Sequence, residues 1–480
     1  MKLNGLKWLA GLALATALVG GPALAQTAAA PAAPAPAAAA PAATPAPEAA
    51  APAAAPAAAE AAPAAAAPAP PKIDTGDTAW MLTSSVLVLM MTVPGLALFY
   101  AGMVRKKNIL ATLAQSFAAT ALITVLWMVI GYSIAFTDGG KNNALIGGVN
   151  YLLLGPMGLN ATSSLAATIP ESVYMFFQMT FAIITPALIA GALADRMKFS
   201  AFLLFMGAWL LLVYCPIAHW VWGGGWLGKA GALDYAGGTV VHLNAGTAGL
   251  VAALMLGKRK GLGTESFAPH NLTYSVIGAS LLWVGWFGFN AGSAVTSNVN
   301  AGMAAAATQI ATAAAALAWM FAEWIISKKP SVLGMVSGAV AGLVAITPAS
   351  GFVNPGDALI IGIIAGVVCY ISAVHVKKMF GYDDALDAWG VHGVGGATGA
   401  LLTGVFASNA INSVGKGWIH DNNPGQMILQ LEDVGATFAY CAVMTFVILL
   451  AIKFTVGLRV TEEVEVEGLD INLHGEIVHG

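Results

Sequence analysis

The sequence predicts an all-α polytopic membrane protein with about eleven transmembrane helices, an inverted repeat of helices 1–5 and 6–10, the N-terminus outside and the C-terminus in the cytoplasm. Three observations carry this prediction. Of the 480 residues, 58% are hydrophobic and 9% are charged, and a water-soluble fold has no surface on which to place so much apolar material. The apolar residues come in runs of about twenty, the length an α-helix needs to cross a hydrocarbon core of roughly 30 Å. A short motif around one histidine also recurs five spans later.

Taken in order, residues 1–25 read as a secretory signal peptide. Lys2 and Lys7 precede an apolar stretch from Leu9 to Val19, and Ala23-Leu24-Ala25 precedes Gln26. Residues 26–77 are mostly Ala and Pro, a composition that buries no core and whose recurrent prolines exclude a helix, so they predict a disordered linker. Residues 78–455 form the membrane domain, with apolar spans beginning near residues 80, 109, 169, 199, 239, 272, 301, 332, 357, 388 and 427. Basic residues concentrate in short cytoplasmic loops. Here Arg105-Lys106-Lys107, Arg196 with Lys198, Lys258-Arg259-Lys260, Lys328-Lys329 and Lys377-Lys378 follow the odd-numbered spans through the ninth, whereas the opposite loops hold Lys141, Lys229 and Lys416. That pattern places residues 456–480 in the cytoplasm as a tail. The net charge of -3 and the scattered basic clusters exclude a nucleic-acid footprint. Cys215, Cys369 and Cys441 each sit inside an apolar run without metal-ligand or disulfide spacing, and read as packing residues.

Around His242 the chain reads Val-His-Leu-Asn-Ala-Gly-Thr-Ala-Gly, and around His392 Val-His-Gly-Val-Gly-Gly-Ala-Thr-Gly. An odd offset of five spans makes the two halves cross in opposite senses, the plan of many transport proteins, with a substrate path between them. Ionisable residues deep in a span face a cavity or the bundle interior, which singles out His242 and His392. Gly246, Gly249, Gly396 and Gly399 follow on the same faces and allow close helix approach. The two imidazoles are expected to meet near the bilayer centre as a proton relay, a mutually satisfied core pair or a bis-histidine haem site. Phe177 and Phe181 share a face of the third span, and Trp286, Phe289 and Ser293 share one of the sixth. Trp222 ends the fourth span before Gly223-Gly224-Gly225. These rings and the serine hydroxyl suit a small hydrogen-bonding cation. An interfacial aromatic belt with lipid-facing phenylalanines is the other reading.

Burying a bare monovalent ion costs about 20 kcal/mol in the Born limit, and still several kcal/mol after relaxation. The apolar path has few oxygens to replace a hydration shell, and the TVGYG loop of potassium filters is absent. The solute must therefore be neutral at the centre or shed a proton on the way. Ammonium meets that requirement and potassium does not.

From Thr78 to about Gly475 the chain resembles the ammonium transporter, methylammonium permease and Rhesus family. The resemblance rests on PGLALFYAG (Pro94 to Gly102), RKKN (Arg105 to Asn108), ALADRMKFSA (Ala192 to Ala201), PIAHWVWGGG (Pro216 to Gly225) and GALDYAGGTVVHLNAG (Gly231 to Gly246). In the second half it rests on WVGWFGFNAGS (Trp283 to Ser293), TPASG (Thr347 to Gly351), GVHGVGG (Gly390 to Gly396) and VGLRV (Val456 to Val460).

The resemblance implies an outer recruitment site of Phe181, Trp222 and Ser293, a gate of Phe181 and Phe289, and twin pore histidines His242 and His392. It also implies that Asp234 is a structural acid holding backbone amides, although composition alone reads Asp234 as an exposed loop residue. It further implies ammonium or ammonia as substrate, a homotrimer in the inner membrane's lipid bilayer, no cofactor, no enzymatic activity, and a PII-type nitrogen regulatory protein at the cytoplasmic face. The tail carries Glu462, Glu463, Glu465, Glu467 and Asp470, and reads otherwise as a solvated charged segment. An ammonium sensor signalling through this tail is the alternative function.

Overall fold

The computed structural model describes residues 72–478. The signal-peptide expectation, and that for the linker up to residue 71, lie outside the described residues. Within them the chain is helical. The principal helical segments are α1 Thr75–Met103, α2 Lys106–Phe136, α3 Glu171–Leu193, α4 Phe199–Ala230, α5 Gly238–Leu256, α6 Leu272–Gly292, α7 Val299–Ser327, α8 Val332–Ile346, α9 Pro355–Phe380, α10 (Ala388–Gly393 continued by Val394–Phe406) and α11 Gly425–Thr455. Among the described residues, nine helices are long and apolar enough to cross a membrane, α8 and α10 being the others.

The first turn of α1 begins at Thr75, three residues inside the stretch the composition assigns to the linker. There Asp74 accepts the Asp77 backbone N–H at 2.8 Å as an N-cap. α4 breaks at Trp222, because Gly224 takes a left-handed conformation (φ 89°) and Gly225 an extended one before the short segment Trp226–Ala230 resumes. α3 is the most enclosed rod, its face from Phe177 to Leu193 packed on all sides.

α5 and α10 open with the same irregularity. Gly238–Leu243 and Ala388–Gly393 are π-helical turns, a widened geometry found mainly at functional sites, and each carries its histidine near the end. The two helices cross where neither has a side chain. A Cβ on Gly246 would lie 2.2 Å from the Gly393 backbone nitrogen, and one on Gly396 would lie 2.5 Å from the Gly238 oxygen. Gly246 and Gly396 are thus the contact itself, while Gly249 also meets Ala192 of α3 and Gly399 packs on Ala345 of α8.

The basic loops converge at one end of the bundle. Arg105 Nε lies 3.1 Å from Asp195, Arg259 lies 3.4 Å from Asp195 and 2.9 Å from Asp383, and Arg196 lies 3.8 Å from Asp383. Burial pushes the Asp383 carboxyl up, but its hydrogen bonds and charge contact with Arg259 outweigh this and hold it below the usual carboxylate range.

The tail docks on the same end. Arg459 pairs with the buried Glu465 at 2.7 Å and donates to the Leu256 and Lys258 carbonyls at the C-terminus of α5. Asp470 accepts the Leu110 and Ala111 N–H groups at the start of α2, at 3.1 and 2.8 Å. Leu469 and Asp470 are 1% and 2% exposed. Two of the tail's five acids are therefore not freely solvated, Asp470 capping the start of α2 and Glu465 pairing with Arg459, whereas Glu462, Glu463 and Glu467 are exposed as the charged-segment reading expects.

Candidate functional site

A cavity of about 280 Å³ opens between α3, α4 and α6, with walls that include Phe177, Gln178, Phe181, Trp222, Tyr235 and Ser293. Trp222 is held by its indole N–H, which donates to the Asp234 carbonyl at 2.8 Å. The Ser293 hydroxyl donates to the Phe289 carbonyl at 2.8 Å, which leaves its oxygen lone pairs as acceptors. Phe177 and Phe181 are each 1% exposed, so they face the interior and not lipid.

The cavity floor is aromatic. Phe181 stands edge-on to Trp222 with centroids 5.9 Å apart and stacks on Phe289 at 4.1 Å. Phe289 in turn stacks on His242 at 5.8 Å, and His242 on His392 at 5.4 Å. The outermost and innermost residues of this column come from opposite halves of the chain. Trp286, read from spacing as part of the same face, lies beside the column, 5.3 Å from His242, with its N–H donated to Thr347 Oγ1 at 2.9 Å.

His242 Nδ1 and His392 Nδ1 are 3.4 Å apart, and the residues are 1% and 4% exposed. In this contact one ring donates and the other accepts, so the pair shares a proton between two neutral rings. His242 Nε2 has no protein partner and can meet a solute. The direct nitrogen–nitrogen contact leaves no gap for a macrocycle, which disposes of the haem reading.

Asp234 is 5% exposed, not the exposed loop residue that composition alone suggests. Its Oδ1 accepts the Gly237 and Gly238 N–H groups at 2.8 and 2.6 Å, and its Oδ2 those of Thr239 and Val240 at 2.9 and 3.1 Å. The carboxylate thus satisfies the free amides at the start of the π-helical turn that carries His242.

The other half repeats the device. Asp384 accepts the Ala388 and Trp389 N–H groups at 3.1 and 2.7 Å, at the start of the turn that carries His392. Asp384 escaped the sequence reading although a signal was present, since each aspartate stands eight residues before its histidine. Burial, with Asp387 nearby, raises the Asp384 carboxyl to about 6. Gln178 was also missed. It lines the cavity with an unpartnered amide oxygen, and a lone glutamine in an apolar run gave nothing to distinguish it.

A family model described as the Ammonium Transporter Family matches residues 79–479. The chain is 51% identical over 401 residues to an ammonium transporter of Bacillus subtilis, covering 84% of this chain and 98% of that one. It is 53% identical over 407 residues to an ammonium transporter of Aquifex aeolicus, covering 84% and 93%. Among solved structures, Saccharomyces cerevisiae Mep2 is similar with a TM-score of 0.76 at 37% identity, covering 81% of this chain and 91% of that one. A sensor Amt protein is similar with a TM-score of 0.75 at 28% identity, covering 83% and 98%.

Proposed function

The chain belongs to the ammonium transporter family, and from that premise we propose that it captures ammonium outside the inner membrane and releases it inside by parting proton from ammonia. The observation that supports this reading is the unbroken column from Trp222 through Phe181, Phe289 and His242 to His392. Trp222, Phe181 and Ser293 recruit the cation by ring faces and a hydroxyl acceptor, worth about 0.5–2 kcal/mol per ring contact. The stacked Phe181 and Phe289 rings close the way below, so passage requires them to swing aside.

Among the described residues the column continues below the rings as the imidazoles of His242 and His392, which carry no negative charge to offset the loss of hydration, and a desolvated cation is too costly there. At the parted rings ammonium gives its proton to His242 Nε2, the nitrogen without a protein partner. The hydrogen on His242 Nδ1 moves to His392 Nδ1, His392 releases its Nε2 hydrogen on the inner side, and ammonia passes as a neutral molecule and is reprotonated there. Asp234 acts structurally, by fixing the turn that carries His242.

The same reading gives eleven crossings with the N-terminus outside, residues 1–25 as signal, 26–77 as spacer, and a homotrimer with one pore per subunit. A PII-type nitrogen regulatory protein engages the cytoplasmic end, where the docked tail meets the basic loops. The deciding experiment is ammonium-induced current in proteoliposomes holding the wild type, His242→Ala or His392→Ala. Current from the wild type that is lost or made unselective in both variants is expected. Ammonium binding with no current from any of them would favour a sensor.

A further inference from the structure

Behind the outer cavity, two carboxyl groups meet a single hydroxyl. Thr239 Oγ1 lies 2.8 Å from Asp234 Oδ2 and 2.8 Å from Asp433 Oδ2. Asp433 comes from α11, and it and Thr239 are each 0% exposed. A hydroxyl carries one hydrogen, so it can donate to only one of two carboxylates, and two ionised acids around it would leave a pair of acceptors face to face.

Donor counting decides which acid carries the extra hydrogen. Asp234 already accepts four backbone N–H groups, and a proton on either of its oxygens would point a donor at donors. Asp433 has no such cage. Besides Thr239, its carboxyl is faced by the Thr437 hydroxyl at 3.4 Å, and among the described residues no Lys or Arg forms an ion pair with it. A second, uncompensated negative charge beside Asp234 in a dry interior is the arrangement proteins avoid by holding the acid neutral.

We propose that Asp433 is a protonated carboxylic acid whose O–H donates to Thr239 Oγ1, so that Thr239 donates to Asp234 and α11 is locked to the turn that carries His242. Asp433 is then a positioning residue. Through Thr239 it acts on Asp234, whose carbonyl holds Trp222 and whose carboxylate holds the segment leading to His242. It also leaves one negative charge, not two, beneath the outer cavity. The inner half is built differently, since Asp384 has the Lys377 ammonium and Asp387 for neighbours.

The hydrogen assignment rests on geometry alone, and only its effect on flux rests on the transport reading. The test is infrared spectroscopy of the full chain in lipid nanodiscs, with isotope-labelled aspartate. A carbonyl stretch of a protonated carboxylic acid is expected in the wild type, lost in Asp433→Asn and kept in Glu432→Gln. No such band in the wild type, or a band that survives Asp433→Asn, overturns the assignment.

In proteoliposomes Asp433→Ala, which leaves Thr239 without its donor, should lose about tenfold in ammonium flux, and Asp433→Asn, which restores a neutral donor, should recover most of it. Equal flux from the alanine variant and the wild type overturns the positioning role. Should the wild type itself carry no ammonium current, the transport reading fails while the infrared result still decides the assignment.

Discussion

The imidazole pair is where single side chains decide the outcome. On the proposed mechanism His242→Ala should abolish selective ammonium flux with the fold retained, because it removes one imidazole of the pair from a site whose packing rests on glycine backbones. Circular dichroism beside proteoliposome current checks both halves of that statement, and wild-type flux with wild-type selectivity would refute the relay. Trp222→Leu keeps the apolar bulk but removes the strongest ring, so a loss of 0.5–2 kcal/mol predicts an apparent KM for ammonium roughly 2- to 30-fold higher. An unchanged KM would reduce the tryptophan to an interfacial anchor. Gly246→Ala should be worse tolerated than either, since its methyl would meet the Gly393 backbone at about 2.2 Å. Overpacking of this kind costs typically about 1–3 kcal/mol, visible as a lower thermal midpoint and poorer recovery of folded protein. At this scale the histidines and the aromatic residues stood out in the sequence as ionisable and ring side chains in apolar runs, but spacing left the rings open to an interfacial-belt reading, and only family resemblance singled out Phe181, Trp222 and Ser293 together. Asp234 was legible only through family resemblance. Nothing in a string of letters says that four amides will point at it.

The helix termini are where elements are tied to one another. Both histidine-bearing turns begin on an aspartate cage. Asp384 titrates near 6 in the fold against an ordinary 3.8, mainly from burial and secondarily from Asp387. A carboxyl whose folded value is raised binds its proton more tightly when folded, so its contribution to stability is greatest below 3.8 and is lost as pH rises towards about 6. Thermal midpoints of the wild type should therefore fall across that interval relative to Asp384→Asn, and parallel curves would contradict the raised value. The tail makes a second link. Glu465, 1% exposed, holds Arg459 and accepts the Lys260 N–H at 2.7 Å. Glu465→Gln removes the charge that Arg459 was placed against, at a cost of about 1–3 kcal/mol. Hydrogen exchange should then rise over Glu462–Glu467 and at the end of α5, and unchanged protection there would show the tail to be held by other contacts. The sequence presented the acidic run as a charged surface. Glu462, Glu463 and Glu467 are exposed as such, but the Lys260 and Leu110 N–H groups that Glu465 and Asp470 accept lie 205 and 360 residues away along the chain, which is why local composition did not single these two out.

For the whole molecule, one energetic inequality governs what can cross. An apolar constriction closed by stacked rings costs bare potassium several kcal/mol, and on the proposed mechanism a molecule that can leave its proton behind avoids that cost. Potassium gradients should therefore drive no measurable current through the wild type under conditions where ammonium does, and comparable permeation would sink the mechanism. The helical, membrane-spanning class, the approximate span boundaries and the internal repeat were determined by the sequence alone, because each is a matter of counting: apolar run length against membrane thickness, and a motif against its own recurrence. Only the tertiary structure decided that the two glycine faces touch, that His242 and His392 meet nitrogen to nitrogen, that Asp384 mirrors Asp234, and that Asp433 shares a hydroxyl with it. Those facts depend on the crossing of helices far apart in the chain, and a crossing geometry is set by three-dimensional packing, which no one-dimensional spacing encodes.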